Sequence, residues 1–205
     1  MERSCTMEEN RIHIAKWLRV LMYIAIAGLV NTFIGIPSFV PSVITSWISR
    51  ILMAVMVFTM LKLATANDRY KKAGIQRAIV LALTIAADLL HSGAILTLIA
   101  GTLAIVTDYQ EYHGHSELIE ENDHQLSGKW TSLFMWSIVV GLLLGFTSTA
   151  AGMFAAMAGI DTMKATIMIA AILAIPQYVI EIIYILYLKK MVTLFTEEKV
   201  DDYDV

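Results

Sequence analysis

Apolar residues in this chain come in blocks long enough to cross a bilayer, and almost every charge lies between the blocks. The windows Val20–Ile36, Ile51–Leu61, Ala78–Val106, Leu133–Gly159 and Ile167–Leu188 hold very few ionisable groups. A helix on the surface of a water-soluble protein carries a polar face opposite its apolar stripe. These windows carry none. A helical crossing needs roughly 20 apolar residues, and in lipid only helices or closed barrels satisfy their own backbone. The expected fold class is therefore all-α: a polytopic helical membrane protein with the lipid bilayer as its partner.

Composition narrows the class further. Hydrophobic residues make up 58% of 205 positions, with no linker or composition shift, so a single integral membrane domain over 1–205 is expected. A net charge of −3 offers no basic field for nucleic acid, which is not expected as a partner. One cysteine, Cys5, cannot form an intrachain disulfide. The segment Met1–Asn10 is polar and acidic, so the first crossing reads as an uncleaved anchor.

The first expected span is Trp17–Ile36, flanked by Arg11, Lys16 and Arg19, and the second is Trp47–Asn67, followed by Arg69, Lys71, Lys72 and Arg77. Cytoplasmic loops carry the excess of Lys and Arg, which puts the N-terminus and the loop after Asn67 in the cytoplasm, with the plasma membrane as the expected location. The 29 residues Ala78–Val106 make either one long tilted helix or two short ones folding back at His91-Ser92-Gly93. One helix gives five spans and leaves Lys189 and Lys190 outside; a hairpin gives six and puts every basic cluster inside. An internal echo favours six. Lys16-Trp17, Met22, Gly28-Leu29 and Phe33 recur 113 positions later as Lys129-Trp130, Met135, Gly141-Leu142 and Phe146. A parallel repeat needs an even number of crossings between its copies. The expected arrangement is six transmembrane helices as three hairpins, with five as the alternative: Trp17–Ile36, Trp47–Asn67, Ile75–Leu90, Gly93–Tyr109, Trp130–Met157 and Thr162–Leu188. Both termini are then cytoplasmic.

Strongly polar side chains away from the span ends are few: Asn31, Arg50, Lys62, Asp88, His91, Gln177 and Glu181. Such groups are costly to leave unpaired in lipid and mark candidate sites. Arg50 and Asp88 fall at the outer ends of their spans, where they can neutralise each other beside His91. Gln177, Glu181 and Tyr184 follow at i, i+4 and i+7, on one helix face. Pro176 just before them removes a backbone hydrogen bond and is expected to kink the helix. This stripe reads either as a site for a cation or proton, or as a structural face with Lys62 as the counter-ion of Glu181.

The segment Thr107–Lys129 is the one sizeable polar loop, expected to be a solvated, partly helical connector weakened by Gly114. Three His (His113, His115, His124) and five acidic residues (Glu111, Glu117, Glu120, Glu121, Asp123) within it could bind a divalent metal, and on a helix His113 faces Glu117 and Glu111 faces His115. His113, His115, His124 and Glu117 are the candidate metal ligands, although no established metal-binding spacing is present. The fifth span carries Gly141, Gly145, Thr149, Gly152, Ala156 and Gly159, a small-residue ladder suited to close helix packing or to a homo-oligomer contact. Residues 196–205 form a short acidic tail expected to be disordered. No nucleophile elbow, phosphate loop or dinucleotide glycine pattern occurs, so no catalytic residue and no cofactor is expected. Three functions remain open: transport of a small solute or ion, a non-catalytic scaffold or regulatory protein binding a partner through its cytoplasmic loop, and, with less support, a metal-dependent membrane hydrolase.

Overall fold

The computed structural model describes residues 2–35, 41–90, 93–158 and 162–197. They form six α-helices: α1 (Glu2–Gly35), α2 (Ser42–Leu63), α3 (Asp68–Leu90), α4 (Gly93–Ile119), α5 (His124–Ala158) and α6 (Thr162–Thr196). No strand occurs among the described residues. The apolar stretch Ala78–Val106 is two helices rather than one, since α3 stops at Leu90 and α4 starts at Gly93. Among the described residues, four helical segments are long and apolar enough to cross a membrane: Glu8–Ile34, Ser42–Leu63, Asp68–Leu90 and His124–Leu144.

Each helix packs against its neighbours in the chain, and α6 packs back on α1, so the six close into a ring. Successive helices run in opposite directions. Where α1 begins, Arg11 Nη2 donates to the Leu194 and Glu197 carbonyls at the end of α6 (3.3 and 3.1 Å), and His13 Nε2 lies 3.2 Å from the Lys62 carbonyl at the end of α2. The expected close packing at Gly141 is absent: a Cβ there would meet nothing within 4 Å. Gly74 and Gly114 do that work instead. A Cβ on Gly74 would stand 3.1 Å from the Leu61 side chain, and one on Gly114 3.4 Å from Tyr70.

The expected solvated loop over Thr107–Lys129 is largely helix: α4 runs on to Ile119 and α5 starts at His124. Only a short turn separates them. Asp123 ends it, accepting through Oδ1 from the Leu126 amide at 2.8 Å, as a helix N-cap does. Asn67 does the same for α3, accepting from the Arg69 amide at 2.8 Å. The polar segments at the starts of α1, α3 and α5 and at the ends of α4 and α6 therefore lie at the same end of the ring, and the packed core lies there. Leu18, Leu21, Met60, Leu63, Tyr70, Ile119, Leu126, Trp130, Leu188 and Met191 are buried in it. Toward the other end the apolar side chains point outward, with Leu98 at 72% and Phe146 at 74% exposure. An apolar surface of that extent marks a membrane-facing or partner-facing wall.

Of the sequence expectations, His91, Gly159 and the tail from residue 198 lie outside the described residues.

Candidate functional site

Above the packed end lies an open cavity of about 800 Å³ that all six helices line. From α1 it is faced by Ile24 through Thr32, a rise of about 12 Å at 1.5 Å per residue. The walls are mostly aliphatic, with Leu29, Met53, Met56, Ile138 and Ile180 among them. Gly28 and Gly141, equivalent positions in the internal echo, both border it with open space where a Cβ would be.

The polar groups collect on one side and at the bottom. Arg77 of α3 is the keystone. Its Nη2 donates to Asp108 Oδ1 at 2.9 Å and to Glu111 Oε2 at 2.5 Å, both on α4. Glu111 is almost fully buried and also accepts from the Tyr184 hydroxyl of α6. His115, with no exposed surface, sits just below. Its Nδ1 is 2.7 Å from the Tyr70 hydroxyl, and its Nε2 is 3.5 Å from that of Tyr184 and 3.8 Å from Glu111. The ring of Trp130 lies 4.5 Å from the His115 ring and 5.3 Å from that of Tyr184, centroid to centroid, and seals the floor. A hydrogen-bonded chain thus runs from Asp108 at the cavity surface through Arg77, Glu111 and Tyr184 toward His115 and Tyr70. Residues from α3, α4 and α6 build it.

Beneath the floor, outside the apolar spans, further ion pairs clasp the helix ends. Arg69 Nε donates to Glu117 Oε1 at 2.5 Å, and Lys190 Nζ to Asp123 Oδ2 at 2.6 Å. The Lys190 hydrogen bond, with that of the Leu126 amide, holds the Asp123 carboxyl below its usual range.

Gln177, Glu181 and Tyr184 all face the cavity. Glu181 sits one turn after Gln177 and has no cationic partner among the described residues. The expected Lys62–Glu181 pair does not form. The Lys62 ammonium lies over the Phe58 ring, 5.2 Å from its centroid, because its position on α2 turns it to the outside of the ring. Arg50 and Asp88 do meet in an ion pair across α2 and α3, away from the packed end. Asn31 ties α1 to α2, donating to the Thr45 carbonyl and Ser49 Oγ at 3.1 and 2.9 Å.

The candidate metal ligands are scattered. His113 packs on Tyr109, Glu117 is held by Arg69 and Asn67, His115 is enclosed by aromatic rings, and His124 is exposed. No group of three His, Cys, Asp or Glu among the described residues could hold a metal ion.

Arg77, Asp108, Tyr112 and Tyr70 are the residues that sequence reasoning did not single out as a site, and Glu111 entered it only as a possible metal ligand of the loop. The signal was present: Asp108, Glu111, Tyr112 and His115 follow at i, i+3, i+4 and i+7, the spacing of one helix face. Reading Gly114 as a helix breaker hid it. Compared with known proteins, the chain finds no counterpart: no family model, no curated protein and no solved structure matches it.

Proposed function

We propose that this chain is a plasma-membrane protein of six crossings, with both termini in the cytoplasm, that carries a small solute through its central cavity. The observation that carries this reading is the cavity of about 800 Å³, walled by every helix and floored by Arg77, Asp108, Glu111 and Tyr184. Ligand sites have this character: mostly apolar walls, a few convergent polar groups and a volume of roughly 300–1,000 Å³. Side supports the orientation, since Arg50 and Lys164 alone among the fifteen Lys and Arg fall away from the packed end by chain position. The scaffold alternative keeps only part of its surface: Glu111, His115 and Ser116 are buried, while Glu117, Glu120, Glu121 and His124 stay exposed around the turn.

Transport requires that the cavity open to each side of the membrane in turn. Ser137 lines the cavity wall and donates only to the Phe134 carbonyl of its own helix, at 2.7 Å. A Ser137→Cys variant in a Cys5→Ser background should react with a membrane-impermeant thiol reagent both in whole cells and in inverted vesicles. Reaction from one side alone under all conditions would refute transport and leave a one-sided binding protein.

A further inference from the structure

We infer that the solute is an organic monocation with an apolar body, its charge held by Glu181 beside the rings of Tyr112 and Tyr184. This inference rests on the transport reading and names the class of molecule that the same cavity takes.

The charge inventory of the cavity is unbalanced. Among the described lining residues, Arg77 faces three carboxylates: Asp108, Glu111 and Glu181. Arg77 is already engaged by the first two. Glu181 is left with a neutral amide for company, part-buried in a mostly aliphatic wall. A carboxylate in such surroundings is costly unless a proton or a cation joins it, and a cationic solute entering the cavity supplies the second. An anionic solute would have to displace Asp108 or Glu111 from Arg77 and would then face the remaining carboxylates.

The surroundings also say what kind of cation fits. A bare metal ion needs several oxygen ligands converging on one point, and the described residues offer no such grouping. Close to Glu181 are two phenol rings instead. Tyr184 lies one turn on along α6, and the Tyr112 ring centroid is 5.6 Å from that of Tyr184. Aromatic faces attract a diffuse, weakly hydrated cation. Met53 and Met56 on the far wall are unbranched and polarizable, and adapt to an irregular apolar body. Carboxylate, aromatic faces and a Met-containing wall within one cavity match a substituted ammonium or phosphonium with bulky hydrocarbon groups.

The test uses two ions of one shape and opposite charge on the purified full chain in a non-ionic detergent. Radiolabelled tetraphenylphosphonium should bind saturably, and tetraphenylborate should compete at least tenfold more weakly than unlabelled phosphonium. Glu181→Gln should lower phosphonium affinity tenfold or more while eluting from size exclusion like the parent; Glu181→Asp should retain most of it. Equal competition by the two ions, unchanged affinity in Glu181→Gln, or absence of saturable phosphonium binding would each overturn the cation assignment. Labelling of Ser137→Cys from both sides of the membrane would still stand in that case, so the two readings fail separately. Should Glu181→Gln elute as an aggregate, the comparison of the two ions on the parent chain decides.

Discussion

Arg77 joins α3 to α4 through one guanidinium, and Glu111 carries the link on to Tyr184 of α6, so burial makes the arrangement fragile to single changes. Its side chain is 15% exposed and that of Glu111 is 2% exposed. Removing one partner of a buried ion pair strands the other charge, at about 3–5 kcal/mol. Arg77→Gln should therefore lower the melting temperature in detergent sharply, and Glu111→Gln in that background should recover part of the loss. Additive losses in the double variant would show that the two charges do not depend on each other. Arg50 and Asp88 pair as well, yet the Asp88 side chain is 54% exposed, so water already serves as an alternative partner. The same substitution logic predicts a small effect there. His115 acts as a wedge below the cavity. It reaches Tyr70 with one ring nitrogen and faces Tyr184 with the other, and the ring of Trp130 closes over it.

At the scale of the helix, two helical glycines do opposite things. Gly74 lets α3 lie against Leu61 and Met60 of α2, where an added Cβ would stand 3.1 and 3.3 Å from their atoms. Gly141 faces the open cavity. Overpacking typically costs about 1–3 kcal/mol, whereas replacing an unconstrained helical Gly with Ala gains about 1 kcal/mol of helix propensity. Gly74→Ala should lower the melting temperature and Gly141→Ala should hold or raise it. A matching loss in Gly141→Ala would mean that α5 packs there against another surface. Turn chemistry also acts at this scale. Asn67 and Asp123 each cap the helix that follows, which lets α3 and α5 start within a few residues of the preceding helix end. α6 passes through Pro176 as one continuous helix to Thr196, with one backbone bond fewer beside the Gln177–Glu181 face.

For the whole molecule, the ring has a packed end and an open half, and that asymmetry follows from solvent. Where the helices extend past their apolar spans they meet water, and burial of Leu18, Leu63, Tyr70, Trp130 and Leu188 there is driven by the hydrophobic effect. Between the apolar spans there is no such drive, because lipid tails are as apolar as Leu. The walls can therefore part around a cavity without loss of hydrophobic stabilisation. The first turns of α1 and the end of α6 belong to the packed end, where Arg11 bonds the Leu194 and Glu197 carbonyls. A reporter that fluoresces only in the cytoplasm should light up when fused after Val205, and again when fused before Met1. Signal from one fusion alone would require an odd number of crossings.

Helical class and the spanning length of the apolar blocks are carried by local features, and these the sequence determined by itself. Apolar blocks of spanning length and clustered Lys and Arg need no tertiary partner to be read. The Gln177–Glu181–Tyr184 stripe was legible for the same reason, since spacing along one helix sets the face. Other properties depended on which helices meet. Whether Glu181 pairs with Lys62 turned on the rotation of α2 about its own axis, which packing against α1 and α3 sets. Arg77 looked like an interfacial loop cation, and Glu111 and His115 looked like loop residues, because Gly114 reads as a breaker in one dimension. In three dimensions Gly114 is the place where Tyr70 of α3 approaches α4. That contact keeps α4 helical through its polar segment and draws the segment's charges inward. Only the closing of α6 onto α1 decided that these groups, 31 to 73 residues apart in sequence, would share the floor of one cavity. A long-range contact has no periodicity for a sequence to display.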